Sequence, residues 1–149
     1  MESNKKLEIL ESPAVQSHIS MLQGVINRMA ENSANCKNWT VTLVAAMLVL
    51  LVDKEMQLPN AWLCLIPVGL FYLLDCYYLG LERVMIKSQK DFLDKLSKDK
   101  NYVDQIYRVG ALGGRYTQLC NTIKAMCSPS TTPFYLIVAL VVLFFGKII

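Results

Sequence analysis

Histidine, paired cysteines and net charge are all scarce in this 149-residue chain, and each scarcity argues against a class of function. The single histidine, His18, lies in a polar stretch without the partners of a catalytic or metal site, so we expect a solvated surface residue. Five cysteines form no CxxC pair, which favours reduced thiols without a metal. A net charge of +3 is too small to indicate nucleic-acid binding. We predict no enzyme activity and no cofactor.

Apolar residues are concentrated in three blocks, at residues 39–52, 61–81 and 133–149. A membrane span needs about 20 predominantly apolar residues, so the second block suffices, the third is borderline and the first is short. With few polar residues to cover them, the blocks favour membrane insertion over the core helices of a soluble protein. The predicted organisation is an N-terminal amphipathic helix (1–38), a first span (39–52), a second span (60–81), a cytoplasmic helical segment (82–132) and a third span (133–149).

The distribution of basic residues predicts the orientation in the membrane. Four Lys or Arg residues precede the first block and nine lie between the second and third, whereas the short connector has only Lys54. The N-terminus and the middle segment are therefore expected in the cytoplasm. Aromatic side chains near the block ends, Trp39, Trp62, Tyr77 and Tyr78, are expected to anchor at the membrane interfaces. The C-terminus lies outside if the third block spans, and inside if it only dips into the bilayer.

Apolar and small residues recur at alternating spacings of four and three along the first helix and into its membrane part. They are Val15, Ile19, Leu22, Ile26, Met29, Ser33, Cys36, Thr40, Leu43, Met47 and Leu50. A seam repeating every 3.5 residues is typical of helix-on-helix packing. Residues 82–98 also keep an amphipathic helical pattern. We predict an all-α membrane protein, in which a long antiparallel hairpin extends into the cytoplasm, followed by short amphipathic helices and a third transmembrane helix. The alternative for the extension is an amphipathic helix lying on the lipid headgroups.

Asp75 is an ionisable residue inside the second block, where a carboxylate is costly unless it has a partner. In an antiparallel hairpin whose turn is centred between Met56 and Gln57, residues at equal depth have numbers that add to 113. Asp75 is then level with Asn38, next to Lys37. Two interpretations stay open. The carboxylate either fastens the hairpin through an ion pair or hydrogen bond, or lines a pore or proton path in an oligomer.

The same register brings further opposite charges within reach of each other across the hairpin. Glu82 is level with Glu31, and Arg83 lies at a similar depth. The pairs Arg28–Glu82 and Glu31–Arg83 are therefore expected, to within about one helical turn. The predicted polar network of the hairpin has seven members: Asp75, Lys37, Asn38, Arg28, Glu31, Glu82 and Arg83.

Two stretches carry motifs that go beyond composition. The first is VINRMA at residues 25–30, followed by WTVTLV at residues 39–44, and the second is D-x-Y-x-L-x-x-E-R from Asp75 to Arg83. These motifs resemble those of a family of small bacterial multi-pass membrane proteins. Its members resemble accessory membrane proteins of anti-phage loci, including those beside RNA-targeting CRISPR effectors and the RADAR ATPase–deaminase system. The resemblance covers roughly residues 18–90.

The resemblance implies a protein of the bacterial inner membrane that takes part in anti-phage defence. The leading hypothesis is a homo-oligomeric effector that permeabilises or depolarises the membrane, since three short spans cannot enclose a pore alone. The alternative is a non-enzymatic anchor or regulator of a cytosolic defence complex. A transporter that uses Asp75 is less favoured, because the sequence has no internal repeat. Expected partners are the lipid bilayer, further copies of the chain and a cytosolic defence protein, without direct nucleic-acid binding.

Overall fold

Helices make up the architecture of the chain. The computed structural model describes residues 9–52, 61–98, 103–107 and 115–148, and these ranges contain no strand. The elements follow in this order: a helical turn at residues 9–11, α1 (Pro13–Val52), a 3-10 turn (Ala61–Cys64), α2 (Leu65–Ser97), a second 3-10 turn (Val103–Gln105), α3 (Arg115–Met126) and α4 (Thr132–Ile148). The all-α prediction is confirmed for the described residues.

The two longest helices, α1 and α2, pack against each other as an antiparallel hairpin. They contain 40 and 33 residues, which correspond to lengths of about 60 and 50 Å. Both exceed the roughly 30 Å of a bilayer's hydrocarbon core. Neither helix breaks where the sequence predicts the change from apolar to amphipathic character, near residue 38 in α1 and residue 82 in α2. The hairpin is therefore one continuous body that includes both the apolar and the amphipathic parts.

The seam of α1 is buried or half-buried as far as Thr40, and beyond it a different face of the helix is buried. Its buried members are Val15, Leu22, Ser33, Cys36 and Thr40. Beyond them, Leu43 and Leu50 are exposed, and Val44 is buried instead. A straight helix drifts about 20° per heptad away from a 3.5-residue repeat, and α4 joins the packing at this level. The predicted seam positions Leu43 and Leu50 are therefore wrong.

The apolar end of the hairpin packs against α4 through a cluster that we call the three-helix cluster. Its buried members are Val44, Cys64, Val68, Tyr135 and Val142. Pro67 lies in the first turn of α2, where a backbone N–H has no helical partner. Pro67 therefore lies just after the start of α2 and does not break hydrogen bonds in the middle of a helix. By residue type Asn60 is a good N-cap for the predicted second span, but it lies outside the described residues.

The opposite end of the hairpin closes around a second cluster, which we call the tip cluster. Val15, Phe92 and Leu96 are buried there, and Ile106 packs against them from the segment 103–107. His18 belongs to this end, since it is 2% exposed and its ring centroid lies 4.5 Å from that of Phe92. The prediction of a solvated His18 is wrong. The groups that bury His18 are far away in the chain, so the polar residues around it in sequence did not reveal them.

One helical stretch of the described residues, Trp62–Ser97, is long and apolar enough to cross a membrane, and Thr132–Phe145 is a shorter apolar helix. Large apolar side chains are exposed on the parts of α1, α2 and α4 around the three-helix cluster: Val41, Val49, Ile66, Leu70, Leu73, Leu136, Ile137, Leu140, Leu143 and Phe144. We call this surface the apolar band. The prediction of three membrane spans stays a prediction.

Candidate functional site: a buried ion pair in the hairpin

Asp75 is fully buried between α1 and α2, and it contacts two side chains of α1. The Nζ atom of Lys37 lies 2.7 Å from its Oδ2 atom, and the Ser33 hydroxyl donates a hydrogen bond to its Oδ1 atom. Lys37 Nζ also donates to Ser33 Oγ over 3.2 Å. Ser33 and Lys37 are four residues apart, so they lie on the same face of α1. We call these three residues the Asp75 network.

The structure brings Asp75 and Lys37 together but turns Asn38 away. Asn38 is exposed on α1, and its side chain has no contact with Asp75. The pair Lys37–Asp75 and the ring contact His18–Phe92 both lie within one helical turn of the register expected from the turn position. The rule that paired residue numbers add to 113 therefore predicted the partner of Asp75 to within one helical turn. The contribution of Ser33 required the structure, because small seam residues do not stand out as carboxylate partners.

Burying the Asp75 charge costs free energy that the network has to offset. The Asp75 side chain is 0% exposed, whereas that of Lys37 keeps 22% exposure. Burying an ion in a protein interior costs several kcal/mol. Removing one partner of a buried ion pair destabilises a protein by about 3–5 kcal/mol. The contact at Oδ2 is a charge pair that lacks the alignment of a hydrogen bond. The network thus links α1 to α2 at the depth of Asp75.

A second set of polar contacts, next to Asp75, attaches α2 both to α4 and to the end of α3. Tyr135 donates a hydrogen bond from its hydroxyl to the Phe71 carbonyl over 3.2 Å, and this hydroxyl also lies near Thr40 and Asp75. Tyr72 donates to the Met126 carbonyl over 2.8 Å. The Tyr72 and Tyr135 rings meet edge to face at 5.3 Å between centroids. Three helices therefore converge at the level of the Asp75 network, and the sequence did not indicate this role for either tyrosine.

Replacing Tyr135 with phenylalanine removes the hydrogen bond to Phe71 and leaves its carbonyl without that donor. We expect the free energy of unfolding in detergent to fall by about 0.5–1.5 kcal/mol, the typical net value of one hydrogen bond. The matched control is Tyr77→Phe, because Tyr77 is 44% exposed and its hydroxyl has no hydrogen bond within the described residues. Equal stability of both variants in a denaturant titration would show that the Tyr135 hydroxyl does not hold α4.

The predicted cross-pairs Arg28–Glu82 and Glu31–Arg83 are not formed in the described part of the chain. Arg83 instead donates a hydrogen bond to the buried Ser128 hydroxyl over 3.0 Å. Arg28 and Glu31 are exposed on α1. The connection between α3 and α4 packs on α2 at this depth and offers Arg83 a closer acceptor. No pattern in the sequence places that connection, so its competition with α1 was not foreseeable.

The predicted interfacial aromatic residues lie on the outer surface of the hairpin. Trp39 and Trp62 are each 58% exposed, Tyr77 is 44% exposed and Tyr78 is half-buried. Trp62 and Tyr77 are separated by roughly 23 Å along the helix, somewhat less than the hydrocarbon thickness of about 30 Å. Their exposure is compatible with anchoring at the two faces of a bilayer.

The described residues contain no cluster of three or more His, Cys, Asp or Glu side chains that could hold a metal ion. Cys36, Cys64 and Cys76 are buried free thiols, Cys120 is half-buried and Cys127 is exposed. The Asp75 network joins a carboxylate, an ammonium and a hydroxyl, and the Tyr135 hydroxyl lies near the carboxylate. This arrangement can hold two helices together.

No protein family, curated protein or solved structure matches this chain. The resemblance to membrane proteins of anti-phage loci therefore stays a prediction from the motifs at residues 25–44 and 75–83.

Proposed function

We propose that the chain is a multi-pass protein of the bacterial inner membrane that serves anti-phage defence as a non-enzymatic anchor or regulator of a cytosolic complex. The observation that carries this proposal is that the charged Asp75 network is buried inside the hairpin, whereas the outer surface carries the apolar band. The Asp75 charge is paired with Lys37 of the same chain, whereas the surface around the three-helix cluster is covered by large exposed apolar side chains. A bilayer is the solvent that such a surface requires, because exposed apolar patches of this extent are unfavourable in water.

The hairpin beyond the Asp75 network is the part that would meet a cytosolic partner. Its outer surface is rich in charged side chains: Arg28, Glu31, Lys87, Lys90, Asp91 and Asp94 are exposed. We call this part of the hairpin the stalk. With the Lys- and Arg-rich segments in the cytoplasm, the stalk projects from the inner face of the membrane. The assignment to defence rests on the motifs from Val25 to Val44 and from Asp75 to Arg83.

The second candidate is the homo-oligomeric effector that permeabilises or depolarises the membrane. The extended apolar face of α4, with Ile137, Leu140, Val141 and Phe144, offers a surface through which copies could pack. A water-filled pore also needs polar side chains on its wall. At the depth of the apolar band the large exposed side chains are apolar, so a pore would have to release Asp75 from Lys37. This requirement makes the anchor or regulator the better-supported candidate.

Membrane potential separates the two candidates. Expression of the chain in bacteria, alone and together with the triggered defence system, should leave the signal of a potential-sensitive dye unchanged if it is an anchor or regulator. The cytosolic proteins of the same locus should then move from the soluble to the membrane fraction when the chain is present. Depolarisation that depends on the chain would instead support the pore, and an oligomer in detergent would accompany it.

Topology provides a separate test of membrane insertion. A green fluorescent protein fused to the N-terminus should fluoresce, and alkaline phosphatase fused after residue 149 should be active in the periplasm. The α4 helix has 17 residues, or about 25 Å, so it spans only if the bilayer thins slightly. An inactive phosphatase together with a fluorescent C-terminal fusion would place α4 as a segment that dips into the inner leaflet. Recovery of the chain in the soluble fraction would contradict the proposal itself.

A further inference from the structure

The segment 103–107 is attached to the tip of the hairpin through His18. The backbone N–H of Tyr107 donates a hydrogen bond to the Nδ1 atom of His18 over 3.2 Å. Tyr107 has a φ of 64°, a left-handed conformation that is uncommon for residues other than glycine and needs support from its surroundings. Ile106 packs on the tip cluster beside this hydrogen bond. A polar contact of Tyr107 and an apolar contact of Ile106 thus join the segment to the tip.

The hydrogen bond requires His18 to be neutral. Nδ1 accepts from Tyr107, so the single proton of the neutral ring lies on Nε2. A protonated imidazole carries N–H donors on both nitrogens and cannot accept. The ring is also 2% exposed and in edge contact with Phe92. Protonation would therefore remove the acceptor and place a charge among apolar side chains.

The charged side chains near His18 that the structure describes lie at the surface of the tip. Among the residues that the structure describes, the ionisable groups nearest to His18 in the elements that pack around it are Glu11 on the helical turn before α1, Asp91, Asp94 and Lys95 on α2, and Asp104 and Tyr107 on the segment itself. The four acidic side chains are exposed, where solvent and salt screen their charge. Burial is the cause that lowers the pKa of His18 below its ordinary value of 6.5.

We propose that His18 is a proton-sensitive latch, which docks residues 103–107 on the hairpin tip when neutral and releases them when protonated. Release removes Ile106 from the tip cluster and uncovers Phe92, Val15 and Leu96. Acidification would then create a new apolar surface at the end of the stalk. This inference stands on the tip alone and holds whether or not the chain spans a membrane.

The direction of the pH dependence follows from the two states of His18. In the docked state its pKa is lowered, and in the released state it returns to about 6.5. Docking is therefore at full strength above pH 6.5 and weakens as the pH falls below this value. Between the two pKa values the docking equilibrium constant decreases by up to tenfold per pH unit, because release binds one proton.

Hydrogen exchange on the full-length protein in detergent micelles measures docking at the Tyr107 amide. After correction for the intrinsic exchange rate, we expect the protection of peptides that cover residues 103–107 to fall progressively below pH 6.5 in measurements from pH 7.5 to pH 5.0, by as much as about thirtyfold at pH 5.0. The matched control is His18→Asn, which keeps an acceptor oxygen near the position of Nδ1 and does not titrate. Its protection should stay constant over this range. His18→Phe, which lacks the acceptor, should show low protection at both pH values.

Two results would overturn the latch. One is unchanged protection of the wild-type peptides from pH 7.5 to 5.0, and the other is the same pH dependence in His18→Asn. If His18→Asn does not fold, nitrogen NMR of the wild-type imidazole decides the question. A neutral ring protonated at Nε2, with a titration midpoint below 6.5, supports the latch. A midpoint at or above 6.5 contradicts it.

Discussion

Replacing Asp75 with asparagine is expected to lower the free energy of unfolding by about 3 kcal/mol, the low end of the cost of breaking a buried ion pair. The substitution keeps the shape of the side chain and removes its charge, so Lys37 loses its counter-ion in a largely buried position. The low end applies because the Lys37 side chain is 22% exposed and can turn its ammonium toward water. Equilibrium unfolding in mixed micelles, followed by helical circular dichroism, measures the change.

The chain offers a matched control with the same ion-pair distance. Asp94 and Lys98 are also separated by 2.7 Å between Oδ2 and Nζ, but their side chains are 59% and 56% exposed. Such exposed pairs contribute about 0.2–1 kcal/mol, so Asp94→Asn should cost less than 1 kcal/mol. Similar losses in Asp75→Asn and Asp94→Asn would show that burial of Asp75 does not govern its contribution.

The double variant Asp75→Asn with Lys37→Met tests whether the two charges depend on each other. Methionine keeps an apolar stem and removes the ammonium that the first substitution leaves unpaired. The double variant should therefore be less destabilised than the sum of the single variants, by about 0.5–3 kcal/mol. Strict additivity would contradict the ion pair. The same variants inform function, since a pore that opens by releasing Asp75 should depolarise cells in Asp75→Asn without a trigger.

Replacing Gly80 with alanine is expected to destabilise the protein by about 1–3 kcal/mol through overpacking. A Cβ atom at Gly80 would lie 3.0 Å from the backbone N and the Oγ1 of Thr122, and 3.1 Å from its Cα. The nearest neighbours include backbone atoms of α3, which cannot move aside as a flexible side chain could. The substitution should therefore push α3 away from α2. Unfolding in detergent and hydrogen exchange of residues 115–126 measure the two effects.

The control is Gly69→Ala in the same helix. A Cβ atom at Gly69 meets no atom within 4 Å, so alanine adds helix propensity of up to about 1 kcal/mol without a clash. Gly69→Ala should be neutral or stabilising, whereas Gly80→Ala should be destabilising and should raise exchange in α3. If both substitutions have the same sign, the close approach of Thr122 does not determine how α3 docks.

The amino-acid sequence by itself determined the properties that depend on local pattern and on chain connectivity. Hydrophobic periodicity predicted helices throughout. Five of the eight seam positions from Val15 to Thr40 are buried, and the other three are half-buried. Depth along an antiparallel hairpin depends only on the position of the turn and on the rise per residue. For this reason the sequence placed Lys37 beside Asp75, although it included Asn38 and omitted Ser33.

Only the tertiary structure decided which faces of the helices meet and which side chains compete for the same partner. The seam leaves its 3.5-residue repeat after Thr40 because α4 joins the packing near Val44. Arg83 bonds Ser128 instead of Glu31, because the connection before α4 lies against α2 at that depth. His18 is buried by Phe92 and the segment 103–107. Each of these contacts joins residues far apart in the chain, and no local periodicity encodes the rotation and docking that bring them together.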